Sequence, residues 1–146
     1  MKSRLILLVE DNSNDELLTI RALKKANVTN EIVVARDGVE ALDYIFGTGA
    51  RAEHGPLTPA IVLLDIKLPK LDGLEVLERI RDDERARLFP VIMLTSSNEE
   101  WDVVRSYELG VNSYIRKPVE FDAFSKAVEQ LGLYWLLLNE PLPQSG

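Results

Sequence analysis

The chain has 146 residues, enough for one compact core but not two ordinary domains, and its 46% hydrophobic and 28% charged content excludes the disordered and fibrous classes. Asp and Glu number 24 against 17 Lys and Arg, and the net charge of −7 opposes nonspecific attraction to nucleic acid or anionic lipid, so no nucleic-acid and no membrane partner is expected. The absence of cysteine rules out disulfides, thiolate chemistry and Cys-type metal sites.

The elements are legible in chain order. Leu5 to Val9 is an uninterrupted apolar strand, too short for a secretory signal, and Ser13 with Glu16 has the capping-box spacing that opens a first helix. Ile32 to Ala35 is the second strand, followed by a helix opened by Asp37 and Glu40. Gly47 to Ala60 is an irregular connection holding the only histidine, His54, read as a solvated loop residue. Ile61 to Leu64 is the third strand, and Asp72 with Glu75 opens the third helix. Val91 to Leu94 is the fourth strand; Ser97 with Glu100 opens the fourth helix, which Gly110 ends as a left-handed residue. Val111 to Ile115 is the fifth strand, and the last helix begins after Pro118 and runs on toward Leu138. Residues 1–138 are expected to form one domain, with 139–146 a tail. No stretch reaches the roughly 20 apolar residues of a bilayer span, so a cytoplasmic protein is expected.

Five βα units make a doubly wound parallel α/β sheet with helices on both faces, whose ligands bind beyond the carboxyl ends of the strands. Glu10 and Asp11 follow the first strand and Asp65 follows the third, so three acids converge on one edge. That crowding is costly without a cation, and oxygen-only ligands with room for water match Mg²⁺. An EF-hand is excluded because the loop starting at Asp11 lacks the glycine at its sixth position and the closing Glu at its twelfth. Thr95-Ser96-Ser97 brings a hydroxyl to the same edge after strand four, and Arg116-Lys117-Pro118 brings an ammonium after strand five. Taken singly, these residues have ordinary explanations as helix caps or a solvated lysine. Together they supply a nucleophile, metal ligands, a hydrogen-bond donor and a cation, the requirements of phosphoryl transfer. Proline after Lys117 would also suit a cis peptide.

Leu7-Leu8-Val9-Glu10-Asp11-Asn12, Leu64-Asp65-Ile66-Lys67-Leu68-Pro69 with Asp72-Gly73, Leu94-Thr95-Ser96 and Tyr114-Ile115-Arg116-Lys117-Pro118 together resemble the response-regulator receiver family, over residues 4 to about 131. The resemblance implies a flavodoxin-like sheet of order 2-1-3-4-5, as in the family's chemotaxis members. It implies Asp65 as phosphoacceptor and Mg²⁺ held by Asp11, Asp65 and the Lys67 carbonyl, with Glu10 acting mainly through water. It also implies that Thr95 and Lys117 contact the phosphoryl group and that Tyr114 is an aromatic switch. Lys67 and Ser97 fall where the family tunes phosphoryl lifetime. The donor would be a phosphohistidine of a sensor histidine kinase, the output a contact with a downstream protein, and the only catalysis the chain's own phosphorylation and dephosphorylation. The long loop, the Lys67-Leu68-Pro69 turn and Tyr134-Trp135 are similar to the stand-alone regulators of bacterial phytochrome-type kinases.

A haloacid-dehalogenase phosphatase would carry Asp-x-Asp after the first strand, which Glu10-Asp11-Asn12 does not supply. A nucleotide or flavin module would need a phosphate loop there, and the two acids would repel its ligand. A receiver that signals without phosphorylation would not need functional chemistry at every matched position. A homodimer is expected from the apolar run Leu131 to Leu138, interrupted only by Gly132. A stripe of Phe121, Phe124, Val128, Leu131 and Trp135 is expected to be buried, leaving Leu133, Tyr134, Leu136 and Leu137 to join Tyr114 in the interface.

Overall fold

The computed structural model describes residues 5–106, 109–111 and 113–133. Five parallel strands, β1 (Ile6–Val9), β2 (Ile32–Ala35), β3 (Ile61–Asp65), β4 (Val91–Thr95) and β5 (Tyr114–Arg116), form one sheet in the order β2-β1-β3-β4-β5. The helices α1 (Ser13–Lys25), α2 (Gly38–Phe46), α3 (Gly73–Asp82), α4 (Asn98–Ser106) and α5 (Phe121–Gln130) alternate with them. This is the five-stranded, flavodoxin-like α/β sheet expected.

Strand position follows hydrophobic patterning. The uninterrupted apolar runs of β1, β3 and β4 are buried throughout and occupy the centre, where helices cover both faces. Partly exposed β2 and alternating β5 form the edges. One core contains Leu7, Val9, Leu64 and Met93 with Val76, Leu77 and Ile80 of α3. The other contains Ile6, Leu8, Leu63 and Ile92 with Leu23 of α1 and Phe124 and Val128 of α5. Two arginines tie the connections down. The half-buried Arg81 donates to the carbonyls of Leu109, Arg87 and Phe89, and Arg85 donates to the carbonyls of Ile45 and Leu57 and to Thr58, fastening the Gly47 to Ala60 connection.

Asp37 and Asp72 cap α2 and α3 through the backbone N–H groups of Glu40 and Glu75, as their spacing predicts. Three expectations need correction. The cap of α1 is Asn12, whose side chain accepts from the Asp15 N–H at 2.9 Å, rather than Ser13. β5 starts at Tyr114 rather than Val111: among the described residues it pairs with β4 alone, in the register Met93 to Tyr114, while Val111 packs against the first core.

α5 stops at Gln130 instead of running toward Leu138. Gly132 takes φ +72° and donates to the Glu129 carbonyl, while the Leu133 N–H returns to the Val128 carbonyl at 2.9 Å. These two bonds form a Schellman C-cap, which a left-handed glycine permits. The turn folds Leu133 back against the second core and leaves this residue partly exposed, as expected. Phe124 and Val128 are buried as expected, with Phe121 and Leu131 partly so. Tyr134, Trp135, Leu136, Leu137 and the 139–146 tail lie outside the described residues.

Candidate phosphoryl-transfer site

Parallel register builds the site. Val9 pairs with Leu64, which sets Glu10 opposite Asp65, and Asp65 pairs with Leu94, one residue before Thr95. Thr95 in turn pairs with Arg116, and its carbonyl accepts from the Lys117 N–H at 2.7 Å. Four strand ends thus deliver Glu10, Asp65, Thr95 and Lys117 to one edge. The Lys117–Pro118 peptide is cis.

Glu10, Asp11 and Asp65 each offer a carboxylate oxygen within 4.8 Å of the others. Glu10 and Asp65 are buried, whereas Asp11 is exposed, so the cluster opens to water on one side. Burial, and then a hydrogen bond to Asp65 and repulsion from it, raise the Glu10 carboxyl from 4.5 to about 7, against the pull of Lys117 and the Asn12 N–H. Three carboxylates crowd one edge of the sheet, and their oxygens fit a hard divalent cation.

The Lys117 ammonium is largely buried and uses all three of its donors on carboxylates: Asp65 Oδ2 at 2.9 Å, Asp15 Oδ2 at 3.0 Å and Glu10 Oε1 at 3.3 Å. Burial alone would disfavour its charge, but the bonds to Asp65 and Asp15 outweigh that and raise its pKa. The Thr95 hydroxyl is buried with no hydrogen-bond partner among the described residues. Leaving such a group unsatisfied costs about 1–3 kcal/mol, and a tetrahedral oxyanion bound at Asp65 would supply the missing partner.

Around this centre, the exposed Lys67 turns its side chain to Glu100 Oε2 at 3.4 Å, and Glu100 Oε1 accepts from the Ser96 N–H at 2.7 Å. Ser97 is engaged as a cap, accepting from the Glu100 N–H. Tyr114 is 38% exposed, and its ring stacks on Trp101 of α4 with centroids 4.3 Å apart. His54 is exposed in its loop, away from this chemistry.

Sequence reading missed Asp15 and Trp101. The Asn12 cap spacing was the available signal for Asp15, because it puts that carboxylate in the first turn of α1, over the sheet edge. Trp101 offered no such signal, since its contact with Tyr114 spans two elements.

Residues 6–129 match the response regulator receiver domain family. The chain is 57% identical to the bacteriophytochrome response regulator AtBRR, whose structure superposes with a TM-score of 0.88 over 96% of this chain and 100% of that one. It is 43% identical to the probable methanogenesis regulatory protein FilR2 of Methanothrix harundinacea over 92% of this chain and 85% of that protein. It is also 38% identical to response regulator Rcp1 of Synechocystis over 91% of this chain and 89% of that protein. An Mn²⁺-bound crystal structure of Rcp1 superposes with a TM-score of 0.72 at 36% identity, covering 96% of this chain and 99% of that one. On the family match and these identities, the chain belongs to the response regulator receiver domain family of two-component signalling.

Proposed function

We propose that this protein accepts a phosphoryl group on Asp65 from a phosphohistidine of a sensor histidine kinase, in a Mg²⁺-dependent reaction, and signals through phosphorylation-dependent contacts with a downstream protein. The observation carrying this reading is the placement of the Lys117 ammonium 2.9 Å from the Asp65 carboxylate, beside the buried, unsatisfied Thr95 hydroxyl.

An Asp65 carboxylate oxygen attacks phosphorus, the phosphorus–nitrogen bond of the donor breaks, and the imidazole leaves with the bonding pair. Lys117 neutralises one phosphoryl oxygen and Thr95 donates to another, so aligned charge and positioning supply the catalysis. Asp11, Asp65 and the Lys67 carbonyl would hold Mg²⁺, with Glu10 acting through water; when bound, the cation offsets charge on the transferring group. The protein is a phosphoacceptor that catalyses only its own phosphorylation and dephosphorylation. AtBRR, a bacteriophytochrome response regulator, supports a phytochrome-type kinase as the donor. We propose a cytoplasmic location; among the described residues no helix is long and apolar enough to cross a membrane.

We also propose a homodimer using the β5 face, where Tyr114 is exposed, together with Leu133, Tyr134, Leu136 and Leu137.

Incubation with acetyl phosphate and Mg²⁺ followed by intact mass measurement tests the central reading. One phosphoryl adduct per chain, labile in base and absent with chelator, is expected. An unmodified chain, or an adduct indifferent to chelator, refutes it.

A further inference from the structure

Asp15 belongs neither to the metal cluster nor to a motif that announces its role. It occupies the third position of α1, from which an acidic side chain ordinarily reaches back to the N–H of the capping residue. Here that N–H, on Asn12, is directed to Glu10 Oε2 at 3.3 Å. The Asp15 carboxylate instead crosses to Lys117 Nζ at 3.0 Å and remains partly exposed. The other two acceptors of this ammonium, Glu10 and Asp65, belong to the acid cluster.

On the reading given under Proposed function, cation binding engages the Glu10 and Asp65 carboxylates, and phosphorylation converts that of Asp65 to an acyl phosphate, so both events change the acceptors that Lys117 has there. Asp15 is the carboxylate contact of Lys117 that neither event consumes. A long flexible ammonium stem that exchanges a carboxylate for a phosphoryl oxygen would sample many rotamers on the way, and a fixed anion removes that freedom.

We propose that Asp15 is a positioning residue for Lys117, holding its ammonium beside Asp65 both before and after the acceptor is phosphorylated. Asp15 touches neither phosphorus nor cation and acts through the lysine alone. The proposal rests on the phosphoacceptor reading and adds to it a residue outside the matched motifs.

The test is a double-mutant cycle on the full chain, following labelling by acetyl phosphate at saturating Mg²⁺ in wild type, Asp15→Asn, Lys117→Ala and the double variant. Asp15→Asn is expected to slow labelling between about ten- and a hundredfold, the scale of a misplaced catalytic group. Mg²⁺ affinity should stay within about twofold of wild type, because Asp15 is no ligand. Asp15→Glu, which keeps the charge, should recover part of the rate. In the Lys117→Ala background, Asp15→Asn should change the residual rate by less than about twofold, because coupled residues are not additive. Undiminished labelling in Asp15→Asn, or the same proportional loss without Lys117, overturns the proposal. Asp65→Asn separates the two readings. Label that survives it overturns the acceptor assignment and this proposal together, whereas label that needs Asp65 but ignores Asp15 overturns this proposal alone.

Discussion

Lys117 and Asp65 face each other across the width of β4: the ammonium of the residue after β5 lies 2.9 Å from the carboxylate that ends β3. The pair aligns a cation with a nucleophile, and it also moderates the repulsion between Asp65 and Glu10.

Asp65→Asn should abolish acetyl phosphate labelling and leave the fold intact, since the amide is nearly isosteric and relieves the acid crowding. Thermal denaturation should show Tm unchanged or raised by about 2–4 °C, equivalent to about 1 kcal/mol for a domain of this size. Wild-type levels of adduct at the same position would disprove the acceptor assignment.

Asp11→Ala removes the exposed carboxylate of the acid cluster. Mg²⁺ affinity measured by calorimetry should fall more than about 10–100-fold, the loss seen when only an outer-shell partner is removed. Unchanged affinity would put the cation elsewhere.

The raised Glu10 carboxyl makes stability depend on pH. With a folded value of about 7 against 4.5 for the free group, the folded chain keeps a proton that the unfolded chain has released in this interval. Its contribution is therefore complete below about 4.5 and is lost as pH rises through about 7. In chelator, the urea midpoint of unfolding should be higher near about pH 5 than near about pH 8, and excess Mg²⁺ should flatten the difference by favouring the carboxylate. Equal midpoints in chelator would contradict the assigned protonation.

Gly73 opens α3 against the acceptor strand. A Cβ there would stand 2.2 Å from the Asp65 carbonyl oxygen and 2.7 Å from the Ile66 Cα, both backbone atoms that yield only if the helix moves. Gly73→Ala should cost about 1–3 kcal/mol in urea unfolding and slow labelling by displacing Asp65. Wild-type stability would show that the helix start tolerates the shift freely.

Self-association is tested by sedimentation at micromolar concentration, with Leu136→Glu and Leu137→Glu as the disrupting pair. The wild type should be dimeric and the double variant monomeric. A wild-type monomer throughout the range would rule out the interface.

Much of the sheet was legible because its physics is local. Apolar runs without alternation identified β1, β3 and β4 as interior strands, and the residues that end them gave Glu10, Asp65 and Thr95. The misjudged details involve competition between local signals. Asn12 and Ser13 are both good capping residues, and it is Asn12 that stands in extended backbone and takes the Asp15 N–H. Apolar residues on both sides of Gly132 read as one continuing helix, whereas the turn at this glycine is stabilised by packing Leu133 against the second core. Asp15 and Trp101 acquire their partners only when α1 meets the residue after β5 and α4 meets β5.

The stacking of Tyr114 on Trp101 has an optical consequence. Two aromatic rings 4.3 Å apart at 20° couple their electronic transitions, and Trp101 is one of just two tryptophans in the chain. Any rotation of Tyr114 away from this indole changes the near-ultraviolet dichroism and the tryptophan emission together. The protein thereby carries a label-free reporter of its α4–β5 surface, and Trp135→Phe would isolate that signal.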